Sequence, residues 1–187
     1  GTLTTTGNLT VTAGGNITDS GTVTVGGNLA ATTDDNNGVI DLGTLAVDGT
    51  MALVTHNNGA ATVVNDAAIE FAASTVGGAL SATATAGDIT DSGVLAITGA
   101  STFTVAGGQS ILLTESSTFA AVEFAASGGG TLLSVEINDS NLFELQTLTV
   151  TRDLTVTAGD DITDDGTVTV GRNFAATTNA NNGVIDL

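Results

Sequence analysis

Apolar and polar residues alternate over short stretches of the chain. Leu9 and Val11 oppose Thr10 and Thr12, and Val23 and Val25 oppose Thr22 and Thr24. A period of two puts the apolar set on one face of a half-buried strand. Val, Ile and Thr suit such a strand because their branched side chains pack on a pleated surface. No window carries apolar residues at i, i+3, i+4 and i+7, so no helix is predicted. The Ala-rich stretch NDAAIEFAAS (65–74) is flanked by β-branched residues and Gly, and reads as strand or loop. Gly-Gly, Gly-Asn and Asn-Asn-Gly end the strands. These residues accept positive φ, so they are predicted corners.

The strands recur at a fixed distance. Gly7-Asn8-Leu9 returns 20 residues later as Gly27-Asn28-Leu29, and Arg152-Asp153-Leu154 as Arg172-Asn173-Phe174. Such a period points to a solenoid or another repeat array. One unit holds three short strands and three corners, so coiling it lays residue i under residue i+20 with parallel strands about 4.8 Å apart. The predicted fold is an all-β, single-stranded parallel β-helix (β-solenoid) of eight or nine coils of 20–24 residues, about 40 Å long at that spacing. The bias of parallel crossovers makes it right-handed. Leu9 should lie beneath Leu29, and Asn8 beneath Asn28 with their amides paired along the axis. Extra length belongs in loops such as 32–39. A propeller or membrane barrel would call for aromatic marks, and Trp and Tyr are absent.

A longer period overlies the short one. Residues 1–42 and 146–187 are copies of one unit, identical at 31 of 42 positions. NITDSG (16–21) returns as DITDSG (88–93) and DITDDG (161–166). IEFAAS (69–74) and VEFAAS (122–127) do not fit this spacing. Both ends fall inside repeat units, so residues 1–187 are expected to be one continuous β-helix segment cut from a longer array.

Composition narrows the partners. Two Arg and no Lys stand against 20 Asp and Glu, for a net charge of −18. Nucleic acid binding needs a basic footprint, so it is excluded as a partner. An anionic membrane repels such a surface, and no apolar run nears the roughly 18 residues that insertion requires. Hydrophobic residues at 41% supply a core, and the absence of Cys removes disulfides and thiol chemistry.

GNLTVTAGGNITDSGTVTVGGNLAATT (7–33) resembles the repeat regions of large bacterial exoproteins of the filamentous haemagglutinin type, and the resemblance extends over essentially the whole chain. It implies export by a two-partner or autotransporter route. It also implies a secreted or cell-surface location and a role as rod, stalk, adhesin or biofilm matrix filament. Further copies of the chain, in a filament or bundle, and host or surface glycans are the partners this implies.

Candidate chemistry is sparse, and the chain is read as non-enzymatic. His56 is the only histidine and sits in the polar loop VTHNNGA, without evident partners for a triad. GDDITDDG (159–166) crowds Asp160, Asp161, Asp164 and Asp165 at two corners. Hard oxygen ligands make these a candidate Ca²⁺ site. Arg152 and Arg172, one coil apart in the same copy, are expected to pair with neighbouring Asp. Asn8, Asn16 and Asn138 begin N-glycosylation sequons. Thr10/Thr12 and Thr22/Thr24 begin Thr rows, which raise the alternative of an ice- or carbohydrate-binding solenoid that uses Thr faces.

Overall fold

The computed structural model describes residues 1–34 and 36–187; Asp35, in the long corner expected at 32–39, lies outside the described residues. Among them there is no helix, and every strand pairing is parallel. The chain winds as a β-solenoid of about nine turns. Leu3–Thr5, Leu9–Ala13 and Ile17–Thr18 form the strands of the first coil. Leu9 lies against Leu29, and Thr10 to Ala13 against Ala30 to Thr33, in the register that the 20-residue phrase predicts. The second copy repeats it, with Leu154 against Phe174.

One inward column shows how the coils stack. Ile17, Ile40, Ala61, Leu80, Ser101 and Val122 are successive partners. Phe143, Ile162 and Ile185 continue it in a separate sheet. Across all the ladders one coil spans 19 residues at its shortest (Ala61 to Leu80) and 24 at its longest (Ile111 to Val135). The inward side chains make one apolar core, from Ile17 to Ile162. At its centre Phe71, Phe119 and Phe124 surround Phe103, with ring centroids 6.0–6.3 Å apart. Such aromatic pairs add to stability beyond the area they bury.

The IEFAAS and VEFAAS phrases are not structural equivalents. Ile69–Phe71 is a short strand that bends before Ser74–Val76, whereas Ala121–Ser127 is one unbroken strand in a different sheet. Their similarity lies in composition, which is why no coil spacing relates them.

A seam breaks the ladder above Ala121–Ser127. The sheet that runs Ile111–Ser117, Val135–Asp139, Leu154–Ala158 is continuous there. Beside it, Ala121–Ser127 pairs with Ala100–Ala106 below, and no strand pairs with its upper edge among the described residues. In the next coil Phe143–Leu145 and Leu148–Val150 pair upward with Ile162–Asp164 and Val168–Val170, and among the described residues the one downward pairing of these two strands is the bridge from Val150 to Leu132.

Candidate functional site

The repeated phrases are built around corners, where a bend interrupts the ladder and leaves backbone N–H groups to satisfy. In the Gly-Asn-Leu phrase, Asn8 Oδ1 accepts the N–H of Asn28 at 2.9 Å, and Asn28 Oδ1 accepts that of Thr50 at 3.1 Å. Asp153 does the same for Asn173 at 3.2 Å. The expected amide-to-amide pairing of Asn8 and Asn28 is therefore replaced by a bond from side chain to backbone. An amide-to-amide pair does form between Asn57 Nδ2 and Asn36 Oδ1, at 3.1 Å.

Gly27 of this phrase, and Gly49 at the matching place one coil on, answer to the same geometry. A Cβ on Gly27 would collide with Asn8 Oδ1, and one on Gly49 with Asn28 Oδ1. Neither glycine has positive φ; among the described residues that conformation belongs to Asn57, Gly87, Gly108, Gly128 and Gly129. Close approach of one coil to the next, not backbone handedness, selects glycine at Gly27 and Gly49.

The [Asn/Asp]-Ile-Thr-Asp phrase is a second clamp. Its first residue accepts an N–H from the following coil: Asn16 from Val39 at 3.0 Å, Asp88 from Ser110 at 2.7 Å, Asp161 from Val184 at 2.7 Å. Its last residue takes N–H groups from the middle of a strand in the next coil, Ile40–Val47 or Ile111–Ser117. Asp19 accepts from Gly43, Thr44 and the Thr44 hydroxyl at 2.8–3.2 Å. Asp91 accepts from Thr114 and Glu115. The two carboxyls shift in opposite directions. Burial pulls Asp19 up, but the bonds from Thr44 and Gly43 outweigh it and hold the group below the usual carboxylate range. At Asp91 burial wins, helped by repulsion from Glu115, and the group is raised.

The four aspartates of the candidate Ca²⁺ site fall into these roles. Asp161 is a clamp, Asp164 is the counterpart of Asp19, and Asp160 and Asp165 are exposed at the bends on either side of Ile162–Asp164. No group of three or more His, Cys, Asp or Glu comes together to hold a metal ion among the described residues. Arg152 and Arg172 stack through their backbones, the Arg172 N–H donating to the Arg152 carbonyl at 2.9 Å. Both are exposed, and no ion pair joins either to an Asp among the described residues. Exposed pairs contribute only about 0–1 kcal/mol, too little to hold two long side chains in place.

His56 lies in the turn closed by the Gly59 N–H on the His56 carbonyl, with its Nδ1 2.6 Å from the Thr33 carbonyl, so Nδ1 carries the donated proton. Of the three sequon residues, Asn8 and Asn16 are exposed clamps whose oxygens are engaged. Asn138 sits within Val135–Asp139, and its Nδ2 donates to the Thr114 carbonyl at 3.2 Å. The Thr rows are short. Thr10 is followed upward by Ala30 and Ala52. Thr62, Ser81 and Thr102 stack, but Asp41 and Glu123 bound them.

Sequence reasoning passed over a buried carboxyl. Asp139 is 2% exposed; its Oδ1 accepts the N–H of Asn141 at 3.1 Å and of Phe119 at 3.4 Å. Burial raises its pKa against these bonds. The alternation Val135, Ile137, Asp139 puts it on the inward face, a signal hidden by reading Asn138-Asp139-Ser140 only as a sequon.

No curated protein and no solved structure matches the chain. Residues 1–44, 57–125 and 130–187 match the model of a family described as repeats of unknown function. That match covers most of the sequence, and the chain belongs to this family, DUF5649.

Proposed function

We propose that this chain is a rigid, non-enzymatic spacer within a secreted or cell-surface fibre. The observation that carries the reading is the pairing of repeated phrases with inter-coil bonds: wherever the two phrases recur, their Asn and Asp side chains bond to the coil that follows. A protein whose repeats encode stacking is built for length and stiffness. The resemblance to filamentous haemagglutinin-type exoproteins supports the same reading, with display as stalk, adhesin or matrix filament. The charge of −18 favours solubility and keeps neighbouring rods apart. Further copies are the natural partners. Ca²⁺ could bridge acidic surfaces between rods, and surface glycans are candidate adhesive targets.

The test is to change the number of coils in the native protein. Deleting residues 43–145 and joining the two copies in register should keep export and shorten the displayed fibre by about 24 Å, five coil spacings of about 4.8 Å. A fibre of unchanged length, with a specific activity lost instead, would count against a spacer. The three-coil hydroxyl block at Thr62, Ser81 and Thr102 favours the second reading, a Thr-face binder of ice or carbohydrate. Thermal hysteresis abolished by Ser81→Lys would support it.

A further inference from the structure

The seam above Ala121–Ser127 has the features of an acceptor site for a strand. In the column through this face, each N–H bonds upward to the carbonyl before the next column residue. Ile17 bonds to Val39, Ile40 to Ala60, Ala61 to Ala79, Phe143 to Asp161 and Ile162 to Val184, all at 2.9–3.0 Å. The corresponding bond from Val122 to the Leu142 carbonyl is missing, and Leu142 is 58% exposed. Residues two apart on a parallel strand point their backbone groups the same way. The N–H groups of Val122, Phe124 and Ala126 therefore face the seam from below.

Three adjoining cavities follow this line. They share Val122, Phe143 and Gln146 at one junction, and Phe124, Thr147 and Leu148 at the next. The groove is narrowest in the middle and opens to about 240 Å³ beside Phe124 and Ala126. Its floor is apolar: Val122, Phe124, Phe143, Leu145 and Leu148. Its outer rims carry the exposed carboxylates Glu123 and Glu144. The bridge from Leu132 to Val150 closes one end and the continuous Val135–Asp139 ladder the other. The seam also adjoins residues 126–129, the gap between two of the matched repeat blocks.

We propose that this groove binds an extended segment of a partner protein, about seven residues long and alternating apolar with basic residues, as an added parallel strand. Its apolar side chains continue the inward column, and its basic ones lie between Glu123 and Glu144. Charge decides against a second copy of this chain, which carries −18 and only two Arg. An inserted strand needs about 9.6 Å between its neighbours, twice the usual spacing. Cα atoms of Ala121–Ser127 and Phe143–Leu145 now approach within 8 Å. The coils must therefore part by a few ångström, hinged on the unbroken ladder from Ile111–Ser117 to Val135–Asp139.

The test is amide hydrogen exchange on the 187-residue chain with a heptapeptide alternating Val and Lys, and with its Val/Glu counterpart. The expected result is at least tenfold slower exchange at Val122, Phe124 and Ala126 with the Val/Lys peptide alone. Ala126→Pro, which removes a seam-facing N–H without breaking a ladder bond, should weaken binding at least fivefold and leave the melting temperature unchanged. E123Q/E144Q should weaken it about threefold. Unchanged seam amides at millimolar peptide, equal binding of the Val/Glu peptide, or protection that rises with protein concentration alone would each overturn the proposal.

Discussion

Single side chains in this solenoid can be judged by whether they agree with their column. Ser101 does not: it stands between Leu80 and Val122, is 1% exposed, and its Oγ has no hydrogen-bond partner. An unsatisfied buried hydroxyl costs about 1–3 kcal/mol. Ser101→Ala should stabilise the chain by about 1 kcal/mol in chemical unfolding; a loss of stability would mean that the hydroxyl has a function in the fold. Asp139 makes a pH-dependent counterpart. Its folded pKa is raised by burial, so the folded state holds its proton more tightly than the unfolded chain does. Its contribution to stability is present below the ordinary aspartate range and is lost as pH rises through the raised value. Asp139→Asn keeps the acceptor for Phe119 and Asn141. It should raise the melting temperature at pH 7 by roughly 2–4 °C, the equivalent of about 1 kcal/mol at this size. The gain should vanish near pH 3. Asp19 has the opposite sign: its bonds to Gly43 and Thr44 stabilise the fold above the ordinary aspartate range, and that stability is lost as pH falls through its lowered value.

At the level of strands and corners, the two repeated phrases act as clamps, and the clamps accept either amide or carboxylate. Asn16, Asp88 and Asp161 hold the same kind of N–H. Asn16→Asp should therefore change stability little, whereas Asn16→Ala should cost about 1 kcal/mol, the usual worth of one such bond. Equal losses from both would remove the clamp reading. Strand register was legible because one pair of residues, Leu9 and Leu29, fixes a parallel ladder once the 20-residue spacing is seen. The clamps were only half legible. The recurrence of Asn and Asp marked the corners, but direction is a three-dimensional property: Asn8 and Asn28 reach the next backbone and not each other. The acidic GDDITDDG phrase reads as one cluster because sequence proximity cannot show that Asp161 clamps the Val184 N–H while Asp160 and Asp165 sit exposed at separate bends. The seam was invisible, since Val122 and Phe124 alternate as any paired strand does.

Over the whole molecule, stability is shared between neighbouring coils, each of which buries its apolar residues only against the next. The seam leaves one face without a ladder and joins a second only through the Leu132–Val150 bridge and its neighbouring bonds, so unfolding should divide there. Hydrogen exchange in mild denaturant should release residues 1–127 and 128–187 at different free energies, whereas one release for all amides would show coupling undiminished across it. A stacked rod requires the two copies to lie in vertical alignment. Thr18 and Thr163 are the same residue of each copy, with paired positions Asp41, Thr62, Ser81, Thr102 and Glu123 stacked above Thr18 and Glu144 paired below Thr163 across the seam. Spin labels at Thr18→Cys and Thr163→Cys should give one narrow distance near 34 Å, seven coil spacings of about 4.8 Å. A distance below about 20 Å, or a broad distribution, would contradict a stacked rod.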